Sequence, residues 1–213
     1  MVEKASLMKI LLCLLVAFTA LTANCQDVAG HYVLRGVMEV GSEMLLKPDG
    51  TFEFMLAYGA ADYWSKGTWR RDGNAVILQS SGKKEEPFKL QRSEAGKAGQ
   101  IRVWVIGQDA KGVENIDVYL LADGKPLNLR TDDKGVAAFP DVPKAHAVAF
   151  EIQVYDVATK PFAIDADHKD YYFALNGDAV TEMRFDGDRL AIDGSALVLT
   201  KQGESMRYVK ESE

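Results

Sequence analysis

From about residue 26 onward, apolar and polar residues alternate with a period of two, in short runs broken by Asp-Gly, Asn-Gly and Pro-Asp-Gly. Such alternation places every second side chain on one face, the pattern of half-buried strands and not of helices. Thr51–Tyr58 is the clearest run, with Phe52, Phe54, Leu56 and Tyr58 on one face. Met44-Leu45-Leu46 leads into Lys47-Pro48-Asp49-Gly50. Pro presets φ for a tight turn there and Gly accepts positive φ, so Glu43–Tyr58 reads as a hairpin. Gly67–Arg71 and Ala75–Gln79 flank Asp72-Gly73-Asn74 and read as a second. Further strands are expected at Ile101–Ile106, Ile116–Ala122, Val136–Phe139, Ala147–Tyr155, Tyr171–Leu175, Val180–Phe185, Arg189–Ile192, Ala196–Thr200 and Met206–Val209. Lys83–Gln91 reads as a charged strand or connector, and Lys160–Asp170 as a loop. Short, evenly spaced strands with these turns imply an antiparallel all-β sandwich or barrel.

Composition narrows the function classes. With 47% apolar and 26% charged residues, the chain is too apolar for a disordered one. Twenty-five basic against 31 acidic residues lack the clustered cations of a nucleic-acid binder, so no nucleic-acid partner is expected. Two Cys build neither a disulfide scaffold nor a four-ligand zinc site.

Residues 1–25 read as a signal peptide. Lys4 and Lys9 precede an apolar run, Ile10–Ala20, that is shorter than the roughly 20 residues of a membrane helix. Cleavage is expected after Ala23 or Cys25, leaving no membrane span; Met8 is an alternative start. Asn24 stands where a lipoprotein signal carries a small residue before its Cys, which argues against lipidation of Cys25. The chain is therefore expected in the periplasm or outside the cell. Beyond residue 25 the net charge is −7, concentrated in the second half.

Two stretches carry family resemblances. Ile116-Asp117-Val118-Tyr119-Leu120, Gly124-Lys125-Pro126-Leu127 and Thr131-Asp132-Asp133-Lys134-Gly135-Val136-Ala137-Ala138-Phe139, closed by Asp141-Val142, resemble the carboxypeptidase regulatory-like family. That resemblance implies a transthyretin-like β-sandwich without catalysis over about Val113–Val142. Gly30-His31-Tyr32, Pro48-Asp49-Gly50-Thr51-Phe52 and Gly67-Thr68-Trp69 resemble lipocalin-like exported bacterial proteins, implying a small barrel over about residues 28–80. The Gly-rich stretch Arg92–Gln100 reads as the linker. The expected order is an antiparallel barrel-like module at 26–95 and a transthyretin-like or immunoglobulin-like sandwich at 96–213. The alternative has 183–210 completing the first module, with the sandwich an insertion.

Candidate chemistry is sparse. His31, His146 and His168 stand far apart and form no His-x-His or His-x-x-x-His pair, so each reads as a surface or loop residue. No Gly-x-Ser-x-Gly elbow, phosphate loop or dinucleotide fingerprint occurs. Asp165–Asp193 holds eight acids against three bases. Asp165, Asp167, Asp170, Asp186 and Asp188 offer oxygens of the kind calcium takes, but without EF-hand spacing they read as turn residues. No metal or other cofactor is expected. Tyr58, Tyr63 and Trp64 form the candidate ligand-binding group, because the alternation breaks around Ala57–Ser65 and loop aromatics suit stacking. The reading is a non-catalytic exported protein of the bacterial envelope that binds an apolar small molecule or an envelope component. Two alternatives remain. One is a structural adaptor docking an envelope protein or polysaccharide. The other is a hydrolase built on a carboxylate pair, which needs two carboxylates converging in a cleft.

Overall fold

The computed structural model describes residues 28–123, 126–201 and 203–211; the leader and Cys25 lie outside them. The protein is all-β. The strands are β1 Gly30–Arg35, β2 Val40–Leu46, β3 Thr51–Tyr58, β4 Ala61–Arg71, β5 Ala75–Ser80, β6 Phe88–Glu94, β7 Gln100–Ile106, β8 Asp117–Ala122, β9 Leu127–Arg130, β10 Val136–Pro140, β11 Ala145–Ile152, β12 Val157–Ala158, β13 Phe162–Ala163 and β14 Asp170–Leu175. A five-residue helix, α1 Gly177–Thr181, precedes β15 Asp186–Asp193, β16 Ala196–Lys201 and β17 Glu204–Lys210.

The chain forms two compact units, residues 84–181 and the segments on either side of them. The flanking segments make a closed eight-stranded barrel in the order β1-β17-β16-β15-β5-β4-β3-β2. Every neighbouring pair is antiparallel. The tail strands thus belong with the first hairpins: β17 pairs with β1, Tyr32 opposite Lys210, and β15 with β5, Leu190 opposite Val76. A division at 95/96 with the tail in the second module is replaced by an insertion between β5 and β15.

An eight-stranded barrel has an interior that side chains just fill. Met44, Leu46, Phe52, Phe54, Leu78, Phe185 and Tyr208 occupy it and are at most 1% exposed. Phe185 meets Phe52 and Phe54 edge-on, with centroids 5.7 and 5.1 Å apart. The Tyr208 hydroxyl lies 3.0 Å from Ser42 Oγ, so the buried phenol keeps a polar partner. Gly67 lets β4 and β5 close: a Cβ there would lie 2.0 Å from the Gln79 carbonyl oxygen. The outer wall carries charge, including Arg189 bonded to Asp72 at 2.8 Å and Arg207 paired with Asp193. Apolar inside and charged outside is the reverse of a lipid-facing barrel. Among the described residues no helix is long and apolar enough to cross a membrane.

Residues 84–181 form two sheets, β10-β7-β14-β6 and β12-β11-β8-β9, with β13 also on β11. One core joins them, including Val103, Val105, Val118, Val148, Phe150, Tyr171 and Phe173. Phe88 stacks on Phe150 at 4.2 Å. Gly135 turns the chain into β10 at φ +74°, a conformation glycine adopts without Cβ strain. Phe139 is buried in the same core.

Four local expectations change. The strand expected over Ala147–Tyr155 ends at Ile152, and Gln153–Tyr155 form a 3-10 turn closed by Asp156 at positive φ. Arg92–Glu94 is strand and not linker, because the Arg92 guanidinium lies 3.6 Å over the Tyr172 ring on the neighbouring strand. Val180 lies in α1 and not in a strand; Asn176 Oδ1 accepts the Ala179 N–H at 3.3 Å as the chain turns. The loop at Lys160–Asp170 contains the short strand β13.

Candidate functional site

The three aromatics expected to bind a ligand do not share one cavity. β3 and β4 run almost to their tip, with only Gly59 and Ala60 between them, so Tyr63 and Trp64 are strand residues. Tyr58 pairs with Ala61 at the barrel rim and is 60% exposed. Tyr63 pairs with Leu56, on the register of the buried Phe52 and Phe54, and borders a depression of about 450 Å³ beside Gly41 and Asp62. Trp64 has the opposite register, on the outer wall, with the Lys66 ammonium 5.6 Å from its ring. Exposed Val37 and Met38 make the rim near Tyr58 apolar, but the filled interior gives it no depth.

The larger cavity lies in the sandwich. β14 runs parallel to β7 and antiparallel to β6. The start of β6 and the ends of β7 and β14 therefore come together at one end of the sheet. Phe88, Leu90, Ile106, Ala174 and Leu175 meet there, and Phe162 arrives from the opposite sheet. They line a cleft of about 890 Å³. Phe162 is edge-on to Phe150 and Phe173, at 6.0 and 5.4 Å, which anchors that wall in the core.

The rim is polar and hydrogen-bonded. Gln108 Nε2 donates to Asn176 Oδ1 at 3.1 Å, and Asn176 Nδ2 donates to the Glu85 carboxylate. The Asn176 N–H reaches the Pro87 carbonyl at 2.9 Å. Lys89 and Glu86 complete the rim. An apolar floor with a few polar groups at its mouth is the usual form of a small-molecule site. The signal in the sequence was the Phe88-x-Leu90 alternation inside a segment dominated by charge. Nothing local announces that Phe162 faces it.

A polar cluster follows along the same strand. Ser93 Oγ lies 2.7 Å from His168 Nδ1, and Asp165 Oδ2 lies 3.9 Å from Nε2. The turn carrying His168 is held from below by Tyr171, whose hydroxyl contacts the carbonyls of Asp165 and His168 at 2.6 and 2.7 Å. The Lys169 N–H donates to the Glu94 carbonyl at 2.9 Å, tying the turn to β6 beside Ser93. His168 is therefore a positioned residue and not a free loop side chain.

Burial, reinforced by the charges of Asp165 and Asp167, pushes the Tyr171 hydroxyl up to about 12. The folded state then keeps a proton that the unfolded chain releases near pH 10. Stability contributed by the neutral phenol is complete below pH 10 and declines as the pH rises toward 12. Alkaline unfolding titrations should show this slope, and Tyr171→Phe should flatten it. An unchanged slope in the variant would contradict the assignment.

Many of the other acidic residues are engaged in ion pairs and turns. Asp117 and Asp170 are the buried carboxylates among the described residues. Each is held by an arginine: Arg130 on Asp117 at 3.0 and 3.1 Å, and Arg102 on Asp170 at 2.5 and 2.7 Å. Each of these two carboxylates is thus neutralised by its own guanidinium. Asp165 Oδ1 accepts the Asp167 N–H at 3.0 Å, which is turn chemistry, and Asp188 Oδ2 accepts the Asp186 N–H at 2.8 Å across the bulge at the start of β15. No group of three His, Cys, Asp or Glu able to hold a metal ion occurs among the described residues. Comparison with protein-family models, with curated proteins and with solved structures finds no match to this chain.

Proposed function

We propose that this chain is an exported protein of the bacterial envelope that binds an apolar or amphipathic small molecule. The site is the sandwich cleft and not the barrel mouth. One observation carries the reading: about 890 Å³ of space lined by Phe88, Leu90, Phe162 and Leu175 beneath a hydrogen-bonded polar rim. Apolar surface left open at that scale gains free energy when an apolar body covers it. The signal-like leader supports export. The resemblance of Val113–Val142 to carboxypeptidase regulatory-like sandwiches supports a binding role for residues 84–181. The lipocalin-like hairpins support a barrel that serves as a scaffold, since its interior is already filled.

The test is titration with a naphthalene sulfonate dye whose fluorescence rises in apolar surroundings. Saturable binding near one dye per chain is expected. Leu175→Glu places a carboxylate in the floor and should weaken binding by about tenfold or more, since burying an unpaired charge costs at least the 1.4 kcal/mol of a tenfold change. Far-ultraviolet circular dichroism should be unchanged. Equal dye affinity in the variant and the parent would remove the cleft as the site.

A further inference from the structure

Ser93 and His168 stand at the far end of the wall that forms the cleft. β6 carries Phe88 and Leu90 at the cleft, and Ser93 follows two residues beyond the lining Gln91, about 7 Å along a strand. The opposite wall runs the same way, from Phe162 in the cleft to Asp165 and His168. β6 is the edge strand of its sheet, and Ser93 and His168 are half-buried, so neither is sealed in the core. We propose that Ser93 is an acyl-accepting nucleophile activated by His168, and that the cleft holds the hydrocarbon chain of an ester substrate. This rests on the cleft being the binding site.

The chemistry follows from the geometry. In the tautomer with its proton on Nε2, on the side of the Asp165 carboxylate 3.9 Å away, the Nδ1 lone pair is left for the Ser93 hydroxyl at 2.7 Å. As Oγ adds to the ester carbonyl carbon, its proton moves to Nδ1. The bond from that carbon to the leaving oxygen then breaks, and Nδ1 returns the proton to that oxygen. An alcohol leaves and the acyl group stays on Oγ. Water attacks the acyl carbon, giving a proton to Nδ1. The acyl–Oγ bond breaks, the proton goes back to Oγ, and a carboxylic acid is released. Ester and water are the only reactants, and nothing is oxidised or reduced.

Sequence could not bring the pair together, because the partners lie 75 residues apart. The chain also lacks the Gly-x-Ser-x-Gly elbow by which such a serine is usually recognised.

The test uses the full chain. A fluorophosphonate probe and p-nitrophenyl acetate, butyrate and hexanoate are given to the parent, to Ser93→Ala and to His168→Ala, with dye binding measured on each. Probe attached to the Ser93 peptide is expected in the parent, together with ester hydrolysis. Both should vanish in Ser93→Ala and fall by about a hundredfold or more in His168→Ala, the usual loss with a general base. Dye binding should survive in both variants. The acylation rate constant divided by the apparent ester dissociation constant should rise by up to about fourfold per added methylene, as the chain enters the cleft. Intact dye binding with no labelling of Ser93, or with hydrolysis equal in Ser93→Ala, overturns the nucleophile and leaves the binding site standing. Labelling of Ser93 without chain-length dependence overturns the cleft as the acyl pocket. Loss of both dye binding and labelling in the parent overturns the binding reading and the proposal resting on it.

Discussion

Replacing Phe185 by Ala is expected to lower the unfolding free energy by about 3–5 kcal/mol, among the largest single losses in the barrel. Phe185 is fully buried and is delivered by the segment that returns from the inserted sandwich. Its ring meets Phe52 and Phe54 of β3 edge-on, and its backbone joins the closure of the barrel. The Phe185 N–H donates to Ser80 Oγ at 2.9 Å, and its carbonyl accepts the Ser80 N–H at 2.8 Å. Truncation removes the transfer free energy of a phenyl ring and opens a void among rings that cannot collapse together, because their strands are fixed by eight-way closure. Urea denaturation followed by Trp fluorescence would measure it, since Trp69 lies in the same core. A loss below about 1 kcal/mol would mean that the returning segment does not complete the core.

What could be read from the sequence was local. The hairpin at Lys47–Gly50 is legible because Pro48 and Gly50 suit a tight turn and Phe52 and Phe54 alternate after it. The all-β class follows from that pattern repeated. Barrel closure is not local. Phe185 looks like any apolar residue before an Asp-Gly turn, and nothing near it says that its partners are Phe52 and Phe54. The sequence therefore left 183–210 assignable to either module, and pairing of β15 with β5 and β17 with β1 decides the matter in the structure. The site follows the same rule. Tyr58, Tyr63 and Trp64 are neighbours in sequence, but strand geometry sends Tyr63 and Trp64 to opposite sides of the barrel wall. The cleft draws on β6, β7, β13 and β14, so its floor is assembled only when two sheets pack. Three histidines far apart in sequence argued against catalysis. That argument concerned His–His pairs and gave no information on a serine approaching His168 from another strand.

The buried ion pair at Arg102 and Asp170 yields the second large expectation. The Asp170 carboxylate is only 5% exposed, and Arg102, on the adjacent parallel strand, covers it with two hydrogen bonds. Arg102→Met keeps much of the side chain's volume but leaves a desolvated carboxylate without its partner. The expected loss is about 3 kcal/mol, since removing one member of a buried pair strands the other charge. Arg130→Met at the second pair should cost less. The Arg130 side chain is 50% exposed, so water already shares in screening Asp117. Adding Asp170→Asn to Arg102→Met should recover a large part of the loss, because a neutral amide is far cheaper to bury than an unpaired carboxylate. The four-variant cycle by chemical denaturation separates stranded charge from lost packing. Recovery in the double variant identifies the charge as the cause. A double variant no more stable than Arg102→Met alone would assign the loss to packing, including the contact of Arg102 with the Trp104 ring at 5.9 Å.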